Sequence, residues 1–439
     1  MIILLIGSGA REHAIARALA RSPQNPAIAC FASNNNPGIQ ELAEHFEAGN
    51  INDPATTVTF AKLFGADLAI IGPEAPLESG VADALWSAGI PTIGPRKAHA
   101  QIETSKGFTR DLLTKYNIPA CPVYRRFESL KGVAVFLSEL GDNYVVKFDG
   151  LMGGKGVKVA GDHLHSHDEA LDYCKKLVSR GGSFLVEEKL IGEEFSLMSF
   201  CDGNHLVHMP PVQDHKRAFE GDKGPNTGGM GSYSFADHSL PFLISEDIDQ
   251  AQKYNEATML ALKKEFGEGY KGILYGGFMA TGDGIKLIEY NARFGDPEAM
   301  NVLPLLESDF VDICRGIVEG NLYEKDVSFR NQATVCKYAV PEGYPDSPVK
   351  GEPIDVSHVI DTDQLYYASV DMKNGKLIEA GSRTVAFAGM ADTLSEAEAK
   401  AEAEISRVRG PLFHRADIGT EDLIQKRVKH ISLIRGQLT

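Results

Sequence analysis

Cysteine is scarce in this chain, with six in 439 residues. Cys30, Cys121, Cys174, Cys201, Cys314 and Cys336 never fall in a Cys-x-x-Cys spacing. That excludes the usual zinc site and argues against a disulfide framework, so reduced thiols and a cytoplasmic location are expected. Positive charge is also in deficit. Lys and Arg number 44 against 60 Asp and Glu, a net charge of −16, which argues against a nucleic-acid partner. Long apolar runs are missing too. Residues 1–6 are apolar, but no basic residue precedes them and Gly7 ends the run, which is too short for a signal-peptide core or a membrane span. It reads as a buried first strand. There is no internal repeat and no low-complexity tract. The length calls for two to four units, and no further catalytic unit is expected after residue 439. Oligomeric state is left open.

Short apolar runs at residues 1–6, 28–32, 68–71 and 91–93 alternate with helical stretches, the rhythm of an open parallel α/β sheet. Residues 1–102 are therefore expected to form one unit. From residue 103 to 329 the pattern becomes α+β, with 121–192 as a small unit able to move as a lid. Residues 330–439 read as a C-terminal α+β unit. Its acidic helix starts at a Thr393/Glu396 capping box and carries Leu394, Ala397, Ala401, Ile405 and Val408 at helical spacing.

The most informative stretch runs from Glu289 to Glu298. Residues 285–291 are apolar and β-prone and follow the Gly282-Asp283-Gly284 turn, so a hairpin strand is expected. Strict alternation would put Ile285, Leu287, Glu289, Asn291 and, if the strand persists, Arg293 on one face. A carboxylate and an amide oxygen two residues apart suit a hard divalent ion, and an arginine beside them suits a transferring phosphoryl group.

Three further segments carry chemistry. The stretch Lys147-Phe148-Asp149-Gly150-Leu151-Met152-Gly153-Gly154-Lys155-Gly156 lacks the spacing and the hydroxyl of a Walker A loop, and strand-forming residues flank it on both sides. It is expected to cap a hairpin, with glycine N–H groups and Lys147 and Lys155 facing phosphates. Residues 184–190 read as a strand that leads into Glu193 and Glu194, a setting that can offer backbone groups to an adenine edge and a carboxylate to ribose hydroxyls. Asp214-His215-Lys216-Arg217 is followed by Gly224-Pro225-Asn226-Thr227-Gly228-Gly229-Met230-Gly231, a loop too polar and glycine-rich for a core element.

At the N-terminus, Gly7-Ser8-Gly9-Ala10-Arg11-Glu12-His13 follows a strand and opens a helix, a setting for an anion. Glu12 breaks the dinucleotide fingerprint, and the second strand ends in Ser33-Asn34-Asn35-Asn36-Pro37-Gly38 without a ribose-binding acid. Arg11 instead suggests a smaller sugar phosphate, and Glu74 is expected to face the same crevice. His163, His165 and His167 alternate in a polar connection and are not assigned to a metal.

In chain order, Arg11-Glu12-His13, Gly72-Pro73-Glu74-Ala75-Pro76-Leu77, Gln213-Asp214-His215-Lys216-Arg217, the 224–231 loop and Arg293-Phe294-Gly295-Asp296-Pro297-Glu298 resemble the ATP-grasp superfamily. Within it, the chain resembles the phosphoribosylamine–glycine ligase family of purine biosynthesis over essentially its whole length. The resemblance implies two steps. ATP phosphorylates the carboxylate of glycine, and the amine of 5-phosphoribosylamine then attacks the acyl phosphate. It further implies that Lys106, Lys147 and Lys155, with Gly153 and Gly154, hold phosphates, and that Glu187, Glu188 and Leu190 border the adenine and Glu194 the ribose. Glu289 and Asn291 would bind Mg2+ or Mn2+, and Arg293 and Lys155 would be catalytic. Asp214, Lys216, Asn226, Thr227, Gly228 and Arg293 would contact substrate, and Gly9, Arg11, Glu12, Pro37, Gly38 and Glu74 would cradle phosphoribosylamine.

The chain departs from the commoner family pattern at Ala10, at Leu151-Met152, and in the C-terminal segments 336–341 and 367–370. Residues 273–280 also offer no carboxylate as a second metal ligand. Another ATP-grasp carboxylate–amine ligase or a biotin-dependent carboxylase would share Glu289, Asn291 and the hairpin loop but should lack the 214–230 block. A nucleotide-binding module without catalysis is the third reading.

Overall fold

The computed structural model describes residues 1–152 and 156–436. Its first apolar run forms β1 (Ile2–Ile6), which pairs in parallel with β2 (Ala27–Ala32) and β4 (Leu68–Ile71). β3 (His45–Ala48) and β5 (Thr92–Ile93) complete a five-stranded parallel sheet of order β3-β2-β1-β4-β5. Only β3 escapes the sequence pattern, because its mixed polar residues form no apolar run. The centre of the sheet is buried on both faces, as a parallel sheet with helices on its faces requires: Ile3, Leu4, Leu5 and Ile6 are all fully buried.

A small antiparallel sheet follows. β6 (Tyr124–Phe127), β7 (Tyr144–Phe148), β8 (Val157–Val159) and β9 (Phe184–Glu188) lie in the order β6-β9-β7-β8. Helices Val133–Leu140 and His167–Ser179 cover it. Phe127, Phe136, Val146, Leu177 and Phe184 belong to a hydrophobic cluster distinct from the main core. This unit therefore carries its own core. The glycine-rich segment lies between β7 and β8, as the residue pattern requires. Gly153, Gly154 and Lys155 fall outside the described residues.

β10 (Gly192–Asp202) and β11 (Leu206–His208) lead into four short strands, β12 (Gln213–Asp214), β13 (Arg217–Phe219), β14 (Lys223–Asn226) and β15 (Gly231–Ser234). After the long helix Ser245–Phe266 comes the hairpin β16 (Lys271–Thr281) and β17 (Gly284–Asn291), closing a sheet of order β11-β10-β16-β17.

The C-terminal unit contributes β18 (Ala333–Pro341), β19 (Leu365–Tyr367), β20 (Val370–Lys373), β21 (Lys376–Glu379), β22 (Val385–Ala391) and β23 (Leu412–Phe413). Its sheet continues through β18 onto β15 and β12, so the 213–234 segment and the C-terminal strands share one ladder. The acidic helix runs Leu394–Ile405, with Thr393 accepting the Glu396 N–H and Leu394, Ala397, Ala401 and Ile405 buried. Val408, expected on the same helical stripe, lies past its end. Among the described residues no helix is long and apolar enough to cross a membrane.

Candidate functional site

The pocket that gathers the chemistry opens on the β16/β17 hairpin and is lined by Glu194, Asp214, Lys216, Tyr275, Gly277 and Glu289, among others. Strict alternation in β17 fails here, and the failure builds the site. Phe278 pairs with Leu287, but the next residue of β16, Gly277, pairs with Glu289, leaving Ile288 as a bulge. Up to Leu287 the strand turns Ile285 and Leu287 into the core, and after the bulge Glu289 and Asn291 come to the opposite face with Gly277 and Tyr275. Tyr290 stays on the core side, where its hydroxyl meets Thr258 of the long helix at 2.9 Å. The expectation that Ile285 and Leu287 share a face with Glu289 and Asn291 is thus corrected. One inserted residue lets a single strand serve the core first and the pocket afterwards.

The bulge also frees a carbonyl. Ile288 O accepts Arg110 Nη2 at 2.8 Å and Lys147 Nζ at 3.4 Å. Both cations converge on Glu187, with Arg110 bidentate at 2.8 and 3.1 Å and Lys147 at 2.7 Å. Burial pushes the Glu187 carboxyl up, but Arg110 first and then Lys147 overcome it and hold the group down at about 2. The Glu187 side chain is therefore committed to this ion cluster, and its backbone lies inside β9, paired with Tyr124 of β6 and Val145 of β7. The cluster ties β7 and β9 of the small unit to helix Lys106–Lys115 and to β17.

Lys106, first in that helix, donates to Gly150 O at 3.2 Å, so it stands beside the glycine-rich segment. Glu188 N–H donates to Val123 O and its carboxylate accepts from Val123 N–H, both at 2.9 Å. Leu190 is half-buried in the connection to β10. Glu194 binds Lys216 Nζ at 2.9 Å, joining the expected ribose and substrate contacts in one ion pair.

The Glu289 carboxylate makes no protein hydrogen bond or ion pair among the described residues, although Lys216, Lys106, Lys147 and Arg293 surround it. Burial works against its charge, and these four cations outweigh burial and lower its pKa. Asn291 Oδ1 accepts Arg293 Nη2 at 3.3 Å. Arg293 also pairs with Glu103 at 3.0 Å and lies 3.5 Å from Glu74. Burial opposes its charge, but Glu103 and Glu74 keep it protonated. Arg293 is the junction of the two crevices, since Glu74 opens a helix directly after β4.

On the other wall, Asp214 Oδ1 is fully buried without a hydrogen-bond partner among the described residues. Burial and the neighbouring Glu298 raise its pKa well above the carboxylate range. Glu298 in turn accepts the Tyr275 hydroxyl at 2.8 Å. Thr227 anchors its loop by donating N–H and Oγ1 to Lys216 O at 2.7 and 2.9 Å. Gly228 O accepts Arg383 Nη1 at 2.7 Å, and Asn226 ends β14 with its side chain exposed.

The N-terminal loop is packed more tightly than its residues suggest. Gly9 N–H donates to Glu12 Oε2 and Arg11 Nε to Glu12 Oε1, both at 2.6 Å, while Arg11 Nη1 reaches Phe294 O at 3.3 Å. Arg11 and Glu12 are thus turned inward and neutralise each other. A Cβ on Gly72 would stand 2.1 Å from Glu12 Oε1, so only glycine lets the chain pass over that carboxylate. Pro37 and Gly38 open a short helix, and Gly38 lies flat against His13 and Tyr367.

Sequence reasoning missed Arg110, Glu103, Glu298, Asp296 and Arg383. Glu298 and Asp296 sit in a motif already singled out, so their place beside Arg293 was within reach. Arg110, Glu103 and Arg383 carry no local signal, because only the tertiary fold brings them to the pocket. Among the described residues no group of three or more His, Cys, Asp or Glu could hold a metal, and His163 and His167 instead bond Val159 N and Gly141 O.

Family models match three consecutive stretches: the phosphoribosylglycinamide synthetase N domain at residues 1–103, its ATP-grasp (A) domain at 104–299 and its C domain at 334–421. Among curated relatives, the phosphoribosylamine–glycine ligase of Methanosarcina barkeri is 50% identical over 436 residues, covering 99% of this chain and 100% of that protein. That of Methanocaldococcus jannaschii is 50% identical over 445 residues, covering 99% and 100%. Among solved structures, the phosphoribosylamine–glycine ligase of Thermotoga maritima superposes with a TM-score of 0.81 at 29% identity, covering 95% of this chain and 100% of that one. The chain belongs to the phosphoribosylglycinamide synthetase family, the phosphoribosylamine–glycine ligases of the ATP-grasp superfamily.

Proposed function

We propose that this site joins glycine to 5-phosphoribosylamine through a glycyl phosphate, releasing ADP and phosphate in purine biosynthesis. The ligation follows from family membership, and the intermediate is supported by the layout of charge. Glycine carries a carboxylate and an ammonium group. The pocket offers cations around Glu289 (Lys106, Lys147, Lys216 and Arg293) and, on the opposite wall, the buried carboxyls of Asp214 and Glu298. The single observation that carries this orientation is Asp214 Oδ1, a buried acceptor with no partner among the described residues, which an ammonium group would satisfy.

Glycine oriented this way turns its carboxylate toward Arg293 and the phosphate-binding lysines. A carboxylate oxygen takes the γ-phosphoryl group of ATP and ADP leaves. The amine nitrogen of phosphoribosylamine then bonds to the carbonyl carbon, and the C–O bond to phosphate breaks. Arg293, held rigid by Glu103, Asn291 and Phe294 O, faces the charge that spreads over the transferring group without having to reorganise. Lys155 shares this task in our reading. The crevice formed by Gly9, Pro37, Gly38 and Glu74 takes the sugar phosphate, while Asn226, Thr227 and Gly228 close over the substrate. The nucleotide base lies along the Glu187–Leu190 edge and its ribose beside Glu194, with the small unit acting as a lid.

The carboxylate of Glu289, unpaired among the described residues, and the amide oxygen of Asn291 are hard oxygen donors on one face, and they fit Mg2+ or Mn2+ sharing its remaining ligand positions with phosphates and water. Bound there, the ion would neutralise phosphate charge. The six unpaired thiols fit a cytoplasmic enzyme. The test is phosphate release from ATP with each substrate omitted in turn. Release that requires both glycine and the sugar amine is expected, and release with neither, or with a different amine, would refute the assignment.

A further inference from the structure

Arg383 belongs to the C-terminal unit, two residues before β22, yet its side chain reaches the catalytic face. Its Nη1 lies 2.7 Å from Gly228 O, 3.3 Å from Gly229 O, 2.8 Å from Asp296 O and 3.2 Å from Asp296 Oδ1. The guanidinium stacks 4.7 Å over the Tyr338 ring, and the Tyr338 hydroxyl donates to Asp296 Oδ1 at 2.6 Å. One nitrogen thus ties the glycine-rich loop to the loop after β17, and a buried aromatic ring fixes its plane.

The tied loop forms the back of Asp214. A Cβ on Gly229 would meet Asp214 Oδ1 at 2.6 Å and Pro297 Cδ at 2.7 Å, so the Gly229 backbone is wedged between the carboxylate and the 293–298 loop. The backbone there is left-handed, with φ +112°, and its N–H is held by Thr227 Oγ1 at 3.0 Å. Arg383 grips the carbonyls on either side of the peptide that closes this wedge.

We propose that Arg383 is a positioning residue for the glycine subsite, holding the Gly228–Gly229 loop against Asp296 so that Asp214 keeps its place at the substrate amine. This rests on the orientation of glycine proposed above. Arg383 does not touch the reacting atoms and acts through Gly229 and Asp214, so its loss should weaken glycine use more than nucleotide use.

The test compares Arg383→Ala, Arg383→Lys and Ile405→Ala, the last being a core substitution on helix Leu394–Ile405 whose side chain makes no hydrogen bond to either loop. Amide hydrogen exchange over residues 226–231 is read first, without substrates. Arg383→Ala is expected to speed exchange there about tenfold or more, whereas Ile405→Ala, at a comparable fall in Tm, leaves it unchanged. Steady-state kinetics should then show KM for glycine raised about tenfold and KM for ATP within about twofold, with Arg383→Lys recovering part of the loss. Unchanged exchange in Arg383→Ala, equal changes in both KM values, or the same pattern in Ile405→Ala would overturn the proposal. A wild-type enzyme that does not use glycine would sink the assignment of substrate alone, and the exchange result would still decide whether Arg383 positions the loop.

Discussion

The N-terminal sheet and the β16/β17 hairpin both deliver polar groups to a cleft, by opposite means. In the parallel sheet, topology suffices. All five strands point the same way, so loops such as Gly7–Gly9 and the start of the Glu74 helix gather at one edge without any irregularity in the strands. The antiparallel hairpin has no such shared edge. It needs a register defect at Ile288 to turn Glu289 and Asn291 out of a strand whose earlier residues serve the core. A regular ladder transmits its pattern to the sequence, whereas a bulge hides from it.

The defect leaves a carbonyl outside the ladder, and the Arg110–Lys147–Glu187 cluster satisfies it. Breaking that cluster should therefore have the largest effect of the three changes compared. Glu187→Gln leaves two buried cations without their counter-ion and is expected to lower stability by about 3–5 kcal/mol, measured by denaturant unfolding at neutral pH. The same group sets an acid limit. Its folded pKa of about 2 lies below the 4.5 of an ordinary glutamate, so its contribution is complete above about pH 4.5 and is lost as pH falls toward 2. In that window the wild type should lose stability more steeply than the variant. Parallel curves would remove the cluster from the account.

Next in size is the residue where the two regions meet. Arg293→Ala should lower kcat by about 10²-fold or more with a modest change in KM for ATP. An unchanged kcat would leave Arg293 as a strut between Glu74 and Glu103 and nothing more.

The smallest effect belongs to the regular sheet. Gly72→Ala drives a methyl group into Glu12, which holds the Gly9 N–H, and should cost about 1–3 kcal/mol in stability. It should raise KM for the sugar amine and leave KM for ATP unchanged. A shift in the ATP parameter instead would mean that the two crevices are not separate in function.

This contrast also shows how far the sequence could be read. The apolar runs of β1, β2 and β4 announced the parallel sheet, and the motifs around Asp214, Glu289 and Arg293 announced the pocket. The bulge was hidden, because nothing in Leu287-Ile288-Glu289 marks the extra residue. The sequence suggests a sugar phosphate at Arg11 but carries no sign that the neighbouring Glu12 pairs with it inside the fold. Arg110 and Arg383 reach the pocket from a helix and from the C-terminal unit respectively, by tertiary contacts that no local pattern encodes.

The central claim is that glycine is activated as its acyl phosphate. Glycine labelled with 18O in both carboxylate oxygens tests it most directly, by mass analysis of the phosphate released in turnover with ATP and phosphoribosylamine. Transfer of one labelled oxygen to phosphate for each product formed is the predicted result. Phosphate released without label, while labelled glycine enters product, would contradict the account.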